Sequence, residues 1–193
     1  AVPFAQALEA AGLAHGFDYC SIGPVVATRP GSDLSYIGVI PEVIRKTEAT
    51  FASVLVAAQG NGINLEAIAR SAEVVAEIAH STPNGFGNLR LAVLANCGPG
   101  SPFFPVSYHG GEGSRFAIAT EAADLAVDAF SSASSPREAE ANLRTGIEEA
   151  AHVIEGVCNS LTAEFDVAFG GIDFSLAPFP ETERSIGHAI EQL

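Results

Sequence analysis

Two rhythms of apolar and polar positions alternate along this chain. Residues 51–58 (FASVLVAA) and 89–95 are short, continuous apolar runs with the length of buried strands. Between and after them, apolar residues recur every three to four positions, as on amphipathic helices. A helix is expected over 3–14, with Pro3 near its start and Gly12 and Gly16 near its end. Residues 17–27 lean towards strand around Gly23-Pro24, and 28–33 (TRPGSD) is turn chemistry. A helix over 34–47 should break at Pro41. After the Gly60-Asn61-Gly62 turn, Asn64 is placed to cap a helix over 65–80, with Ile63 and Ile68 as a hydrophobic staple. The expected core stripe of that helix is Leu65, Ile68, Ala72, Val75 and Ala79.

The second half repeats the alternation. A loop over 81–88 leads into the 89–95 strand. Residues 96–114 (NCGPGSPFFPVSYHGGEGS) are too long and irregular for an ordinary connection. A strand over 115–120 and a helix over 121–130 follow. Ser135, Pro136 and Glu138 then match a capping box that opens a long helix over 136–163, with Leu143, Ile147, Ala151, Ile154, Cys158 and Leu161 on its apolar stripe. A last strand over 165–174, a rigid loop over 175–180 and a helix over 181–193 complete the pattern. This order predicts an α/β fold, a mainly parallel sheet wrapped by helices, with 1–193 forming a single domain. In such sheets ligands sit beyond the carboxyl ends of the strands, where the unusual loops 96–114 and 173–181 are both expected.

Composition narrows the function classes. Of 193 residues, 48% are hydrophobic and 17% charged, enough apolar material for a core and against intrinsic disorder. Nine Lys and Arg face 23 Asp and Glu, a formal charge of −14, so a nucleic-acid face or an anionic membrane surface lacks the clustered cations it needs. No stretch approaches the ~18 uncharged apolar residues of a membrane span, and the start lacks the pattern of a secretory signal. Cys20, Cys97 and Cys158 are few, odd in number and far apart, which suits reduced thiols and a cytoplasmic location.

Chemistry-bearing residues fall mainly in the two unusual loops. His109-Gly110-Gly111-Glu112, with Arg115 nearby, combines proton-moving and metal-binding side chains with glycines that admit a ligand close to the backbone. The same residues also suit a solvated glycine turn, and no second His at helical spacing makes a zinc signature. Asp173 ends a buried run, followed by Ser175, Glu181 and Glu183. Asp173 and Glu181 could join Glu112 around a hard divalent cation, Mg²⁺ or Ca²⁺, through carboxylate oxygens, or Glu181 and Glu183 could sit in the first turn of a helix and Asp173 pair with an arginine. Asn64 sits at a helix start, where free amides attract anions and where a cap is the commoner role. Ser101-Pro102-Phe103-Phe104-Pro105 could wall an apolar pocket or pack the loop onto the core.

Two segments together carry a family resemblance. They are 96–112 with its SPFFPVSYHGGEG core, and 169–192, FGGIDFSLAPFPETERSIGHAIEQ. The GIN at 62–64 agrees with them. The chain resembles domain-of-unknown-function family 711, found in bacteria and archaea. The resemblance implies part of a glycyl-radical-enzyme-like (PFL-like) α/β barrel, without implying radical chemistry, and a longer parent of which this chain is the central portion. It points to Asn64, His109, Glu112, Asp173 and Ser175, and it does not include Cys97. Two function classes follow. In one, an enzyme or binder of a small polar ligand gathers His109, Glu112 and Asp173 within a few ångströms, with His109 or Glu112 as acid/base. Asp173 then orients the ligand or holds the cation, and Asn64, Arg115 and Ser175 contact the ligand. In the other, a non-catalytic assembly subunit buries its apolar faces against copies of itself or the remainder of the barrel.

Overall fold

The computed structural model describes residues 1–103, 106–111 and 113–176. The expected 181–193 helix, and the 175–180 loop from position 177, lie outside them. The fold is mixed α/β with parallel sheets and helices. The described residues form one four-stranded and one two-stranded sheet, and no closed barrel is found among them. The chain divides into two compact units, the first holding Ala1–Ser101 and the 106–110 segment.

In the first unit, helix α1 (Val2–Ala14) leads to strand β1 (Cys20–Val26). Where one helix was expected, a 3-10 helix (Leu34–Val39) runs into α2 (Ile40–Lys46). Pro41 does not break this segment. It sits in the first turn of α2, where a missing N–H costs nothing. Strand β2 (Thr50–Ala58) pairs in parallel with β1 on one side and with β4 (Leu91–Ala95) on the other. The short β3 (Gly62–Ile63) pairs antiparallel with the end of β2. The Gly-Pro pair inside β1 is accommodated by a register shift: Ser21 faces Phe51 and Pro24 faces Ser53, and Gly23 takes φ +76° between them. Among the described residues β1 pairs only with β2, so Pro24 sits on an edge strand, where proline is tolerated.

Helix α3 (Leu65–Ser81) covers this sheet. It buries Ala67, Ser71, Val74 and Ile78 rather than the expected stripe, and Leu65, Ile68 and Val75 face outward. Ser71 is tolerated inside because its hydroxyl donates to the Ala67 carbonyl at 2.7 Å, and the buried face lies one residue from the most apolar line. Ile63 of the expected staple is likewise exposed. The core joins Ile37, Ile40 and Ile44 to Val54 and Val56 of β2 and to Val74 and Ile78 of α3. The 81–88 loop is largely a 3-10 helix, Pro83–Arg90, kinked at Asn84 and Gly85, both at positive φ. It ends in Arg90, whose guanidinium donates to the carbonyls of Ile44 (2.6 Å), Thr47 (2.9 Å) and Thr50 (3.3 Å). These include orphan carbonyls at the end of α2. Glu9 on α1 does the complementary work, accepting from the N–H groups of Glu48 and Ala49 and the Thr50 hydroxyl. Burial alone would raise the Glu9 carboxyl pKa. The three donors, with the charge of Arg90, outweigh burial and hold it below the ordinary value.

In the second unit, β5 (Arg115–Glu121) and β6 (Ala168–Ser175) form a parallel pair joined through α4 (Ala123–Ser131) and α5 (Pro136–Phe165). Ser135 caps α5 as expected. The reciprocal arm differs, because the Glu138 carboxylate accepts from the N–H and hydroxyl of Ser134 rather than from Ser135. Cys158 is buried on the expected stripe of α5. The rings of Phe116 and Phe169 lie 5.4 Å apart across the strand pair. All three cysteines are free thiols.

Candidate functional site

The carboxyl rim of the first sheet is shaped by the point where β1 leaves β2. The Ala27 N–H still donates to Leu55, at 3.0 Å, and one step further along β2 the N–H of Asn64 takes over, donating to Val56 at 2.8 Å. The departing chain is held by side chains from the replacing segment. Asn64 Nδ2 donates to the Ala27 carbonyl (2.8 Å) and Asn61 Nδ2 to the Thr28 carbonyl (3.1 Å). Asn64 Oδ1 accepts from the Ala67 N–H at 3.0 Å and caps α3. Both polar atoms of the Asn64 side chain are thus engaged within the chain, which is the capping alternative read from the sequence.

His109 belongs to the long connection after β4, which folds back within the first unit. The Gly100 N–H donates to the Tyr108 carbonyl (3.1 Å), the Tyr108 hydroxyl to the Cys97 carbonyl (3.3 Å), and the Ser107 hydroxyl to the Ser101 carbonyl. These bonds set Ser107, Tyr108 and His109 against β1. A cavity of about 400 Å³ opens there, lined by Ser21, Gly23, Arg29, Ser107, Tyr108 and His109 together with Ile22, Pro24 and Val26. A second cavity of about 450 Å³, lined by Phe4, Ile22, Tyr36, Val43 and Asp33, also reaches Arg29. Asp33 there is occupied as the cap of the 3-10 helix. The Ser35 hydroxyl and N–H hold its carboxyl below the usual range.

The other expected site residues are distributed differently. Glu112 lies outside the described residues. Asp173 stands on β6 of the second unit, half-buried, opposite Ala119, and its carbonyl accepts from the Thr120 hydroxyl at 3.3 Å. Ser175 closes β6 opposite Glu121, and its carbonyl accepts from the Ala122 N–H at 2.7 Å. Arg115 opens β5 at the amino edge of that sheet, the end away from Asp173 and Ser175. Among the described residues no group of three or more His, Cys, Asp or Glu is placed to hold a metal ion. No described helix is long and apolar enough to cross a membrane. Arg29 is the residue that sequence reasoning passed over. Its signal was a cation three residues beyond the edge strand β1, inside a segment read only as a turn.

Comparison with known proteins agrees with the motif reading. A family model described as "Uncharacterised ACR (DUF711)" matches residues 1–193. A UPF0210 protein of Methanopyrus kandleri is 31% identical over 97% of this chain and 43% of its own length. One from Methanocaldococcus jannaschii is 32% identical over 83% of this chain and 36% of its own, and one from Clostridium beijerinckii 31% identical over 100% and 44%. The chain spans less than half the length of these relatives. With the whole chain matched and the HGGEG and DFSLAPFP segments in place, the protein belongs to the DUF711 family, whose relatives carry the name UPF0210.

Proposed function

We propose that this chain contributes a small-molecule site along the edge strand β1 of its first parallel sheet, with His109 as the group that contacts the ligand or moves its proton. The observation that carries this reading is the cavity of about 400 Å³ between β1 and the 107–109 segment, of a size suited to a metabolite. An imidazole serves there as donor, acceptor or proton shuttle near neutral pH. Glu112 and Asp173 as further acid/base or cation-holding groups, with Mg²⁺ or Ca²⁺ as the cation, are proposed independently of that cavity. So is the glycyl-radical-enzyme-like barrel, for which the parallel pairs β1-β2-β4 and β5-β6 are suitable building blocks.

The test is a titration of the ¹⁵N-labelled chain with inorganic phosphate, succinate, an amino acid, a nucleoside and a polyol, followed through its amide resonances. At least one probe should shift residues 21–24 and 107–109 saturably, and His109→Gln should weaken it several-fold. Failure of every probe to move these amides would overturn the site. For the cation, calorimetry with Mg²⁺ and Ca²⁺ should show a binding heat that Glu112→Gln removes.

A second reading, assembly, is favoured by exposed apolar side chains on α5. Val153 and Val157 are 68% and 59% exposed, one turn apart on the same helix face, and Phe165 at its end is 60% exposed. Light scattering of the purified chain should then give a mass above that of one chain, and Val157→Glu should return it to a monomer.

A further inference from the structure

Four consecutive carbonyls at the end of β1 are each taken by a specific donor. Val26 receives the Ser32 hydroxyl at 2.6 Å, Ala27 receives Asn64 Nδ2 at 2.8 Å, and Thr28 receives Asn61 Nδ2 at 3.1 Å. Arg29 receives the Ser32 N–H at 3.1 Å. The last bond closes a turn over Arg29-Pro30-Gly31-Ser32. Proline stands at its second position and glycine, with φ +78°, at its third, the residue choice of a type II turn. The backbone that carries Arg29 is therefore fixed from both sides.

The guanidinium on this platform makes no ion pair or hydrogen bond among the described residues. Arg45, Arg70 and Arg144 pair with Glu77, Glu66 and Glu140, and Arg90 is spent on carbonyls, while Arg115 and Arg137, like Arg29, make no such contact among the described residues but line none of the cavities that Arg29 reaches. Arg29 lines the cavity it shares with His109, and a neighbouring one of about 400 Å³ above Asn61 and Asn64. Among the described residues neither of these linings contains an Asp or Glu, in a chain with 23 of them and a net charge of −14, and Asp33 of the third cavity that Arg29 reaches is engaged as a helix cap. The Ser107 and Tyr108 hydroxyl protons already go to carbonyls. Among the described residues Arg29 supplies the one permanent positive charge of the His109 cavity. In so acidic a molecule an incoming anion is repelled everywhere except where a cation is held ready for it.

We infer that Arg29 is an anion-binding residue, and that the ligand of the His109 cavity carries a carboxylate or phosphate group which the guanidinium fork receives. This rests on the proposed small-molecule site and names its ligand class. A planar guanidinium takes two oxygens of either group at once, which an ammonium does not. The backbone is already held, so the ordering that opposes binding is that of the exposed Arg29 side chain itself.

The test uses the intact chain at low ionic strength, titrated separately with inorganic phosphate and with succinate and followed through amide shifts at residues 21–29 and 107–109. One anion or both should bind saturably and more weakly as salt rises. Arg29→Gln should weaken binding at least about tenfold, and Arg29→Lys should restore only part of it. The side chain takes no part in the turn, so both variants should keep the wild-type urea midpoint, and that check makes their binding interpretable. Whichever anion binds more tightly identifies the group. If a neutral polyol or nucleoside shifts the same amides with equal affinity in wild type and Arg29→Gln while neither anion binds, the anion inference fails and the His109 site stands. If no probe of any charge moves these amides, both fail.

Discussion

Asn64 holds two elements with one amide, so its removal has a cost that can be divided. Asn64→Ala deletes the cap of α3 and the donor to the Ala27 carbonyl. Loss of a helix cap costs about 1 kcal/mol. Ala27 is only 2% exposed, so its carbonyl has little water to turn to, and an orphaned buried acceptor costs about 1–3 kcal/mol. The partners are separate, which puts the total at about 2–4 kcal/mol. Asn64→Ser separates the two parts. A serine oxygen still caps, but its side chain is too short to reach Ala27, so only the second loss remains. Asn64→Asp also keeps the cap, yet it turns a carboxylate oxygen towards a carbonyl and should fall below Ser. Urea unfolding followed by circular dichroism measures the series, with an unchanged slope showing that native stability alone has moved. Wild type should rank first and Ser second, with Asp and Ala below. An Asn64→Ser midpoint equal to wild type, or an Asn64→Ala loss under about 0.5 kcal/mol, would refute the reasoning, because a change that small is typical of an uninvolved surface position.

Three further outcomes are expected. A Cβ on Gly87 would stand 2.7–2.9 Å from the γ-methyls of Thr82, Ile78 and Ile44, all on stiff β-branched side chains, so Gly87→Ala should destabilise by about 1–3 kcal/mol in the same urea assay. Arg90→Ala orphans up to three carbonyls around the end of α2 and should cost about 3 kcal/mol, a fall of roughly 6–12 °C in Tm by calorimetry, and Arg90→Lys should recover only part. The Glu9 carboxyl pKa is depressed in the fold, so its stabilisation is present above the unfolded carboxylate pKa and is lost as pH falls through the folded one. Glu9→Gln should accordingly lower stability at neutral pH and flatten the acid limb of a Tm-against-pH curve, and an unchanged limb would contradict that.

Where a single residue type has one strong local preference, the fold was readable from the chain. Asn64 and Ser135 cap the helices they precede, and the FASVLVAA run is the central strand. The reading slipped where a contact overrides the local pattern. Ser71 can be buried on α3 because its hydroxyl bonds its own helix, and no hydropathy stripe registers that bond. The bulge at Gly23 and the 3-10 helix before β4 depend on positive-φ backbone that resembles ordinary loop composition. At the site, the His109 loop was legible from its irregular length. Arg29 was not, because its setting comes from Asn61 and Asn64, more than thirty positions away. His109 and Asp173 fall in different compact units, and Glu112 lies outside the described residues.

β2 is the only strand of its sheet with neighbours on both flanks among the described residues. Either outer strand can peel away by surrendering one ladder, but freeing β2 surrenders both together with the core beneath Val54 and Val56. Its amides should therefore be the last of the first unit to exchange with deuterium, at a cost close to that of opening the whole unit. The cavity wall, anchored where β2 ends, inherits its lifetime from a strand that contributes no side chain to it.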